Sequence, residues 1–446
     1  MSSSINQDLL PPTKRVQTQL SSKRWLVLLL FSNMAAVQNA IWISFSVVVK
    51  PAETYFSVGT PSINFLAALG PLVLMPVAFI TGPLATSKGL RWSIVLGSVL
   101  TGLGAVARVL AIPLVAHAPN AAFGWIIAGH TLNAAAGPII MSCPPQVSAT
   151  WFPANERTTA TAVAFGSQVF GIAFGWLGEP FLVKVASDIP KLIWLEAAMG
   201  VLLALTSLCC PREPVIAPTI SAARDKMSFT QGCKVLLRRP SYLALATLWA
   251  VSAGVYAGWM TLLDVFLEPH LTPQQIGWIG FGGNFAGMFG GIFAGMAIDS
   301  LDASLRTGLI ALYGLSTLTA CGFLVSVYLI EVKFVFVMFF TTACGFFANA
   351  GAPVVLEMAS EMTFPVAEET AASLVMVFFS AVQLLFILVG SYLPAEPMNW
   401  ANVVTLGATT VLVFFLPNAQ LRKDVDTKAA TKGHTGANGA FDPLFS

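Results

Sequence analysis

Long apolar runs, separated by short polar stretches, occupy most of this 446-residue chain. A helix needs about 20 apolar residues to cross the hydrocarbon core of a bilayer. Only 10% of the residues are charged, whereas soluble domains carry about 25%. We therefore predict an all-α membrane protein with lipid as its main solvent. The twelve candidate spans are 25–49, 62–82, 92–115, 122–145, 158–183, 190–210, 241–267, 276–298, 306–330, 333–356, 370–393 and 400–417.

Lys and Arg residues set the predicted orientation, because short cytoplasmic loops carry an excess of them. With both termini inside, eighteen of these residues are cytoplasmic and four are outside: Lys50, Lys184, Lys191 and Lys333. We therefore expect both termini to be cytoplasmic. The expected location of this multi-pass protein is the plasma membrane or an endolysosomal membrane. The net charge of +2 is too small to suggest a nucleic-acid partner.

One long polar interruption, residues 211–240, divides the apolar runs into six and six. The segment after residue 417 is polar and rich in small residues, which is typical of disorder. The predicted organisation has five parts: a cytoplasmic tail (1–24), an N-terminal six-helix bundle (25–210), a cytoplasmic linker (211–240), a C-terminal six-helix bundle (241–417) and a disordered cytoplasmic tail (418–446).

Two polar passages indicate an internal repeat. WFPANERTTATA (151–162) lies between spans four and five, and FPVAEETAAS (364–373) lies between spans ten and eleven. Five residues match at a constant offset, and NAAAGP (133–138) has an echo in NAGAP (349–353). A shift of six spans predicts two pseudo-symmetric six-helix bundles, an arrangement in which the substrate site lies near mid-membrane between the halves.

The loop GPLATSKGLR (82–91) resembles the pattern G-x-L-A-D-R-x-G-R of the major facilitator superfamily, with Thr86 at the usual acidic position. In the second half, AGMAIDSLDASLR (294–306) keeps an acid at the corresponding place. The resemblance implies the major facilitator fold, with these loops acting as latches between cytoplasmic helix ends. The expected latch residues are Gly82, Gly89, Arg91, Glu156, Arg157, Asp299 and Arg306.

Several stretches resemble solute carrier family 49, the carriers related to the feline leukaemia virus subgroup C receptor. These are RWLVLLLFSNMAAVQNAIWISF, TWFPANERTTATAVAFGSQVFGIAFG and VLEMASEMTFPVAEETAASLVMVFFSAVQLLFIL. The family includes carriers linked to haem export, choline and ethanolamine uptake, and lysosomal export of pyridoxine. The resemblance implies a substrate site with Trp42, Gln168 and Gln383 at matching positions and Tyr256 within one residue of a family aromatic.

The chemistry of these four side chains suits a small organic cation. Aromatic faces at Trp42 and Tyr256 attract an ammonium group by about 2 kcal/mol when desolvated. An unpaired amide in hydrocarbon costs several kcal/mol, so Gln168 and Gln383 must face a neighbour or a wet cavity. Helix packing for Trp42 and interhelical hydrogen bonds for the glutamines remain the alternatives.

Other polar residues inside spans are open to two interpretations. His130 and Asn133 share a helix face and serve either interhelical hydrogen bonding or a proton relay. We expect Arg108 near the outer end of its span, and Glu357 with Glu361 in the latch beside Arg157 or the linker, with a coupling role as the alternative. Asn284, in a glycine-dense stretch, belongs to a cavity wall and a rocking interface.

The leading hypothesis is an alternating-access carrier for a choline-like or ethanolamine-like amine, working as a monomer. A haem or porphyrin carrier is second and a pyridoxine-like vitamin carrier is third. A transporter-like receptor is the alternative outside transport. We expect no enzymatic activity, cofactor or metal site. The expected partners are the small-molecule substrate and the lipid bilayer.

Overall fold

The computed structural model describes most of the chain as α-helix. The described residues are 20–45, 48–214, 227–263, 267, 270–300, 304–329, 333–390, 393–417 and 421–423. Their helices are α1 Arg24–Ile43, α2 Val49–Phe56, α3 Thr60–Lys88, α4 Leu90–Val109, α5 Pro119–Ala135, α6 Gly137–Ser142, α7 Pro144–Trp151, α8 Arg157–Leu182, α9 Ile189–Ser207, α10 Phe229–Leu236, α11 Pro240–Thr261, α12 Pro273–Ser300, α13 Leu305–Tyr328, α14 Phe334–Thr363, α15 Glu368–Gly390 and α16 Ala395–Val413.

These helices account for the predicted apolar runs. Ten of them are long and apolar enough to span a membrane, and a bent pair, Pro119–Ser142 with Pro144–Trp151, makes up to eleven. The twelfth run corresponds to α16, where Glu396, Asn399 and Asn402 lower the hydropathy of the first turns. The chain is therefore a multi-pass integral membrane protein.

Proline explains the broken fourth span. Pro144 and Pro145 lack the backbone N–H groups that would continue the preceding helix. A new helix, α7, therefore begins at Pro144, at an angle of 48° to the segment Pro119–Ser142. The polar passage 151–162 then joins α7 to α8, and the passage 364–373 joins α14 to α15. Both copies of the repeat thus lie at equivalent joints, as the sequence predicted.

The two halves are built alike. In the N-terminal half α1 packs along α8, and in the C-terminal half the equivalent helices α11 and α15 pack together. Between the halves, the fifth span α8 packs on the eighth span α12, and the eleventh span α15 packs on the second span α3. Because the fifth and eleventh spans are equivalent, and the second and eighth spans are too, the two contacts are related by the repeat. This symmetry is what a duplicated six-helix unit produces.

The start of α1, the linker helix α10 and the segment after α16 all lie at one end of the molecule, which we call the basic end. Arg24 contacts the α7–α8 joint there, and Phe229 of α10 packs against Gly82 of α3. At this end α15 is buried from Glu368 to Met376, whereas several of its later residues are exposed. The halves are therefore closely packed at the basic end.

The described part of the C-terminal tail differs from the expectation of disorder. Arg422 is only 1% exposed and inserts among carboxylates of α14 and α15. Three acids on these two helices attract the guanidinium, and this charge balance holds Leu421–Lys423 against the bundle. The expectation of disorder from residue 418 is wrong for these three residues, and the remainder of the tail lies outside the described residues.

Candidate substrate site and gate

Gln168 lies in α8, which packs on α12 of the C-terminal half, and shares the helix face of Gly171 and Gly175, which contact α1. The backbone at Gly166 approaches Met288 of α12, one helical turn from Asn284. Because α8 and α12 also meet at Gly295 and Thr158, the two helices run antiparallel, and Gln168 and Asn284 lie at similar depth. Gln168 is buried, and its Nε2 donates to the Ile140 carbonyl at 3.2 Å.

Tyr256 and Gln383 occupy one level of the C-terminal half. Gly254 and Gly258 of α11 approach Val382 and Phe386 of α15, so these contacts bracket Tyr256 and place Gln383 beside it in depth. The Tyr256 hydroxyl is buried near Asn349 but makes no hydrogen bond of ordinary geometry. Gln383 is half-buried and has no hydrogen-bond partner among the described residues.

Asn349 lies at the same depth of the C-terminal half as Tyr256 and Gln383. It packs against Gly287 of α12 and donates to the Gly345 carbonyl at 3.1 Å, while Asn284 donates to Gly280 at 2.9 Å. Both amides therefore use their N–H groups within their own helices and retain carbonyl oxygens as acceptors. We call the set Gln168, Tyr256, Asn284, Asn349 and Gln383 the amide layer.

Trp42 lies further from the basic end than the amide layer does. Ala36 and Ala40 of α1 face Gly171 and Gly175 of α8, so Trp42 is about nine residues, or roughly 13 Å, beyond the level of Gln168. Its indole packs against Gly70 of α3, where any side chain would clash, and its buried Nε1 has no hydrogen-bond partner. Trp42 and Gln168 therefore lie at different depths of the N-terminal half.

Arg108 is the centre of a buried polar cluster in the N-terminal half. Its Nη1 donates to Glu196 at 2.8 Å and to Ser44 at 2.9 Å, and Nη2 lies 2.8 Å from Nδ1 of His130. Both nitrogens also contact the Ile41 carbonyl. Arg108 lies in the last turn of α4, near the end of its span as expected, and its side chain is fully buried.

His130 and Asn133 join different neighbours although they share a helix face. Because the Arg108 guanidinium can only donate, Nδ1 of His130 accepts and the ring is neutral in this arrangement. Asn133 and Gln38 each donate to the other's backbone carbonyl at 3.1 Å, which ties α5 to α1. Both residues thus contribute interhelical hydrogen bonds.

Glu357 of the C-terminal half accepts hydrogen bonds from the N-terminal half at the basic end. Ser148 of α7 donates to Oε1 at 2.9 Å, and Thr161 of α8 donates to the same oxygen. Its Oε2 binds the Arg422 guanidinium, which also contacts Glu361 at 2.9 Å and Glu368 at 3.4 Å. Burial alone lowers the pKa of Arg422, but the three carboxylates outweigh it and raise the pKa above its usual value. We call this group the carboxylate gate.

A second contact between halves lies at Asp299, one of the expected latch residues. Its Oδ2 accepts from the backbone N–H of Thr159 at 2.7 Å and from the Thr159 hydroxyl at 2.8 Å. Thr159 is in the first turn of α8, where backbone N–H groups have no partner within the helix. Asp299 therefore joins the end of α12 to the start of α8.

Two other expected latch residues, Glu156 and Arg306, make contacts within one half. Glu156 pairs with Arg24 at 2.9 Å, and Arg306 donates to the Leu416 carbonyl at 3.1 Å. Gly89 has a φ of 83°, and its lack of a side chain makes room for the Glu213 carboxylate beside Arg91. Arg157 is buried at the start of α8.

Sequence reasoning missed Asn349, Glu179, Glu196 and Arg422 as polar contributors. A signal existed for Asn349, because the echo of NAAAGP in NAGAP aligns it with Asn133. Glu179 and Glu196 each stand alone in an apolar run. Glu196 pairs with Arg108, which lies on another helix, and the charge of Arg108 also attracts the buried Glu179.

Comparison with known proteins assigns this arrangement to a family. The Major Facilitator Superfamily profile matches residues 26–270, more than half of the chain. The chain belongs to the Major Facilitator Superfamily. Members of this superfamily are membrane transporters of small molecules, so the amide layer and the carboxylate gate lie within a transporter fold.

Related superfamily proteins confirm the resemblance to solute carrier family 49. "Solute carrier family 49 member 4 homolog" of Xenopus laevis is 29% identical, covering 92% of this chain and 94% of the relative. "Choline/ethanolamine transporter flvcr2b" of Danio rerio is 26% identical, over 80% and 75% of the two chains. "Choline/ethanolamine transporter FLVCR1" of Felis catus is 27% identical, over 80% and 65%.

Solved structures of the superfamily share the fold. The proton:xylose symporter XylE, bound to 6-bromo-6-deoxy-D-glucose, superposes with a TM-score of 0.73 at 13% identity, covering 92% of this chain and all of that one. The transporter FucP in the outward conformation gives a TM-score of 0.66 at 12% identity, over 89% and 99%. The major facilitator fold predicted from the sequence is therefore confirmed.

Proposed function

We propose that this chain carries a small organic amine of the choline or ethanolamine kind across the membrane by alternating access. The observation that supports this most is the amide layer, a set of neutral groups at mid-depth on the helices where the halves meet. Relatives named as choline/ethanolamine transporters cover most of the chain and support the same substrate class.

The amide layer offers the chemistry that such a substrate requires. The carbonyl oxygens of Asn284, Asn349 and Gln383 accept hydrogen bonds from a hydroxyl or primary amine. The ring of Tyr256, with Trp42 further along the path, provides faces that attract a desolvated ammonium by about 2 kcal/mol each. The members are uncharged, so the cation is released without breaking an ion pair.

The basic end is cytoplasmic in this proposal, because Lys and Arg are concentrated there. The carboxylate gate and Asp299 close that end, so this conformation receives substrate from the opposite side. Movement of one half against the other must break the hydrogen bonds to Glu357 and Asp299 before the substrate leaves. Trp42 then contacts substrate earlier on the inward path than Gln168 does.

Transport by purified protein in proteoliposomes tests the proposal. Labelled choline, ethanolamine, haem and pyridoxine are offered separately to wild type, Trp42→Ala and Gln383→Ala. Trp400→Ala and Gln231→Ala are matched controls, since both side chains are exposed away from the layer. We expect saturable choline or ethanolamine flux that falls about tenfold in the two site variants, the loss of roughly 1.4 kcal/mol, and not in the controls.

Three outcomes would contradict parts of the proposal. Equal amine transport by wild type and both site variants would exclude these residues as the site. Saturable flux of haem or pyridoxine without amine flux would replace the substrate class. Binding of an amine with no flux of any solute would favour a receptor-like protein.

A further inference from the structure

A basic cavity opens at the basic end beside α3, α4 and the end of α9. It has a volume of about 460 Å³ and lies on the N-terminal half, away from the gate. Three cationic side chains face one carboxylate around it, which leaves an excess of positive charge. The lining residues are Lys88, Arg91, Trp92, Val95, Leu208, Arg212 and Glu213.

In the described part of the chain, none of the cations of this cavity forms an ion pair, although the Glu213 carboxylate lies nearby. The buried Nε of Arg91 also has no hydrogen-bond partner among the described residues. Oε1 of Glu213 accepts from the backbone N–H of Leu90 at 2.6 Å. The one acid of the cavity is therefore directed at the start of α4, and the guanidinium of Arg91 has an unused donor.

The cavity also borders the lipid-facing surface of the protein. Trp92 is 46% exposed and Leu208 is 59% exposed, with Val95 on the same helix as Trp92. Tryptophan prefers the level of the lipid headgroups. The cavity thus combines cations at headgroup depth with an apolar wall that continues towards the acyl chains.

We propose that this cavity binds the headgroup of an anionic phospholipid from the leaflet at the basic end. Arg91 and Arg212 bind phosphate oxygens in the paired geometry that guanidinium groups favour, and Lys88 adds a point charge. Basic pockets between membrane helices select anionic lipids in this way. A free phosphate would use the cations but leave Trp92, Val95 and Leu208 without a ligand, so the apolar wall favours a lipid.

Lipid retention by the full-length protein tests the site. Protein delipidated in detergent is given phosphatidylserine or phosphatidylcholine with identical acyl chains, and bound lipid is counted by native mass spectrometry. The variants are Lys88→Gln/Arg91→Gln/Arg212→Gln and the milder Lys88→Gln/Arg212→Gln, which keeps Arg91 next to the α3–α4 turn. The control is Lys234→Gln/Arg238→Gln, which removes two exposed cations at the same end.

We expect wild type and the control to retain phosphatidylserine over phosphatidylcholine. The triple variant loses this preference and the double variant weakens phosphatidylserine binding by about tenfold or more, since each cation near the site contributes to the attraction. If the triple variant does not fold, the double variant decides. Equal retention by the double variant and wild type, equal binding of the two lipids, or displacement of the lipid by inorganic phosphate alone would overturn the proposal.

Discussion

Arg108 places a full positive charge inside the N-terminal bundle. Glu196 balances this charge, while Ser44, His130 and the Ile41 carbonyl also accept from its two Nη groups. The ring of Phe45 lies 5.7 Å from the guanidinium carbon. A buried charge is tolerated only when neighbours replace its hydration, so these contacts connect α1, α4, α5 and α9 into one unit.

Removal of this cation should destabilise the protein. In Arg108→Met the carboxylate of Glu196 is left buried without its partner, and we expect the free energy of unfolding to fall by about 3–5 kcal/mol. Thermal unfolding of the purified protein measures the change. Lys191→Met is the control, because Lys191 lies in an exposed ion pair of little energetic value.

The double variant Arg108→Met/Glu196→Leu distinguishes charge balance from simple packing. It removes both members of the pair, so part of the lost stability should return. A double variant that is less stable than Arg108→Met would show that the volume of the side chains, and not their charge, matters at this position.

Arg108 also shows where sequence reasoning reaches its limit for single residues. The apolar run 92–115 indicated that Arg108 lies in the third span. Such a run carries no information on which other helix faces the residue. The partner Glu196 is 88 residues away. For Asn133, by contrast, the sequence correctly allowed an interhelical hydrogen bond, because an amide within an apolar run must find a partner.

At the scale of elements, α8 depends on a residue from the other half. Asp299 accepts two hydrogen bonds at the first turn of α8, where the helix dipole also favours a negative charge. The contact exists only while α8 and α12 lie together at the basic end. It therefore stabilises the closed arrangement relative to one in which the halves separate there.

Asp299→Ala should loosen the basic end. Each hydrogen bond to a charged group contributes about 1.5–3 kcal/mol, so we expect a shift towards the open arrangement of tenfold or more. The readout is the rate at which a maleimide labels Ala149→Cys, a buried position in α7, in a cysteine-free background. Asp188→Ala is the control, because Asp188 lies at the start of α9 in the loop after α8. Unchanged labelling in Asp299→Ala would contradict this role.

The elements themselves were largely predictable from sequence. The apolar runs gave the spans, and the two polar passages gave equivalent joints at α7–α8 and α14–α15. The depth of Trp42 relative to Gln168 was not predictable, because it depends on how far α1 slides along α8. That offset is set by glycines at the contact, and a single sequence does not show which glycine meets which backbone.

At the scale of the whole molecule, three parts of the chain converge on Glu357. The N-terminal half donates two hydroxyl groups, the C-terminal half supplies the acid, and the tail supplies Arg422. The sequence indicated a latch for Glu357 and Glu361 but named Arg157 or the linker as the partner. The structure shows that Arg422 binds both acids, a partner that composition had assigned to a disordered tail.

Arg422→Ala should destabilise the closed molecule by about 3–5 kcal/mol, because three buried carboxylates lose their shared cation. Thermal unfolding measures the loss, and the same variant should label faster at Ala149→Cys. Adding Glu361→Gln and Glu368→Gln should restore part of the stability. Arg238→Ala serves as the exposed control. Full stability in Arg422→Ala would mean that the carboxylates find compensation elsewhere.

The position of Arg422 in the chain also orders the assembly of the protein during synthesis. Arg422 follows every span, so it leaves the ribosome after Glu357, Glu361 and Glu368. Until then Glu357 and Glu361 lack the guanidinium that they share, and the energetic cost of burying them opposes closure. The closed form of the basic end therefore gains its full stability only after translation has passed residue 422. A stop codon between residues 417 and 422 would leave every span intact but remove Arg422. The closed form would then lack this last stabilising contact.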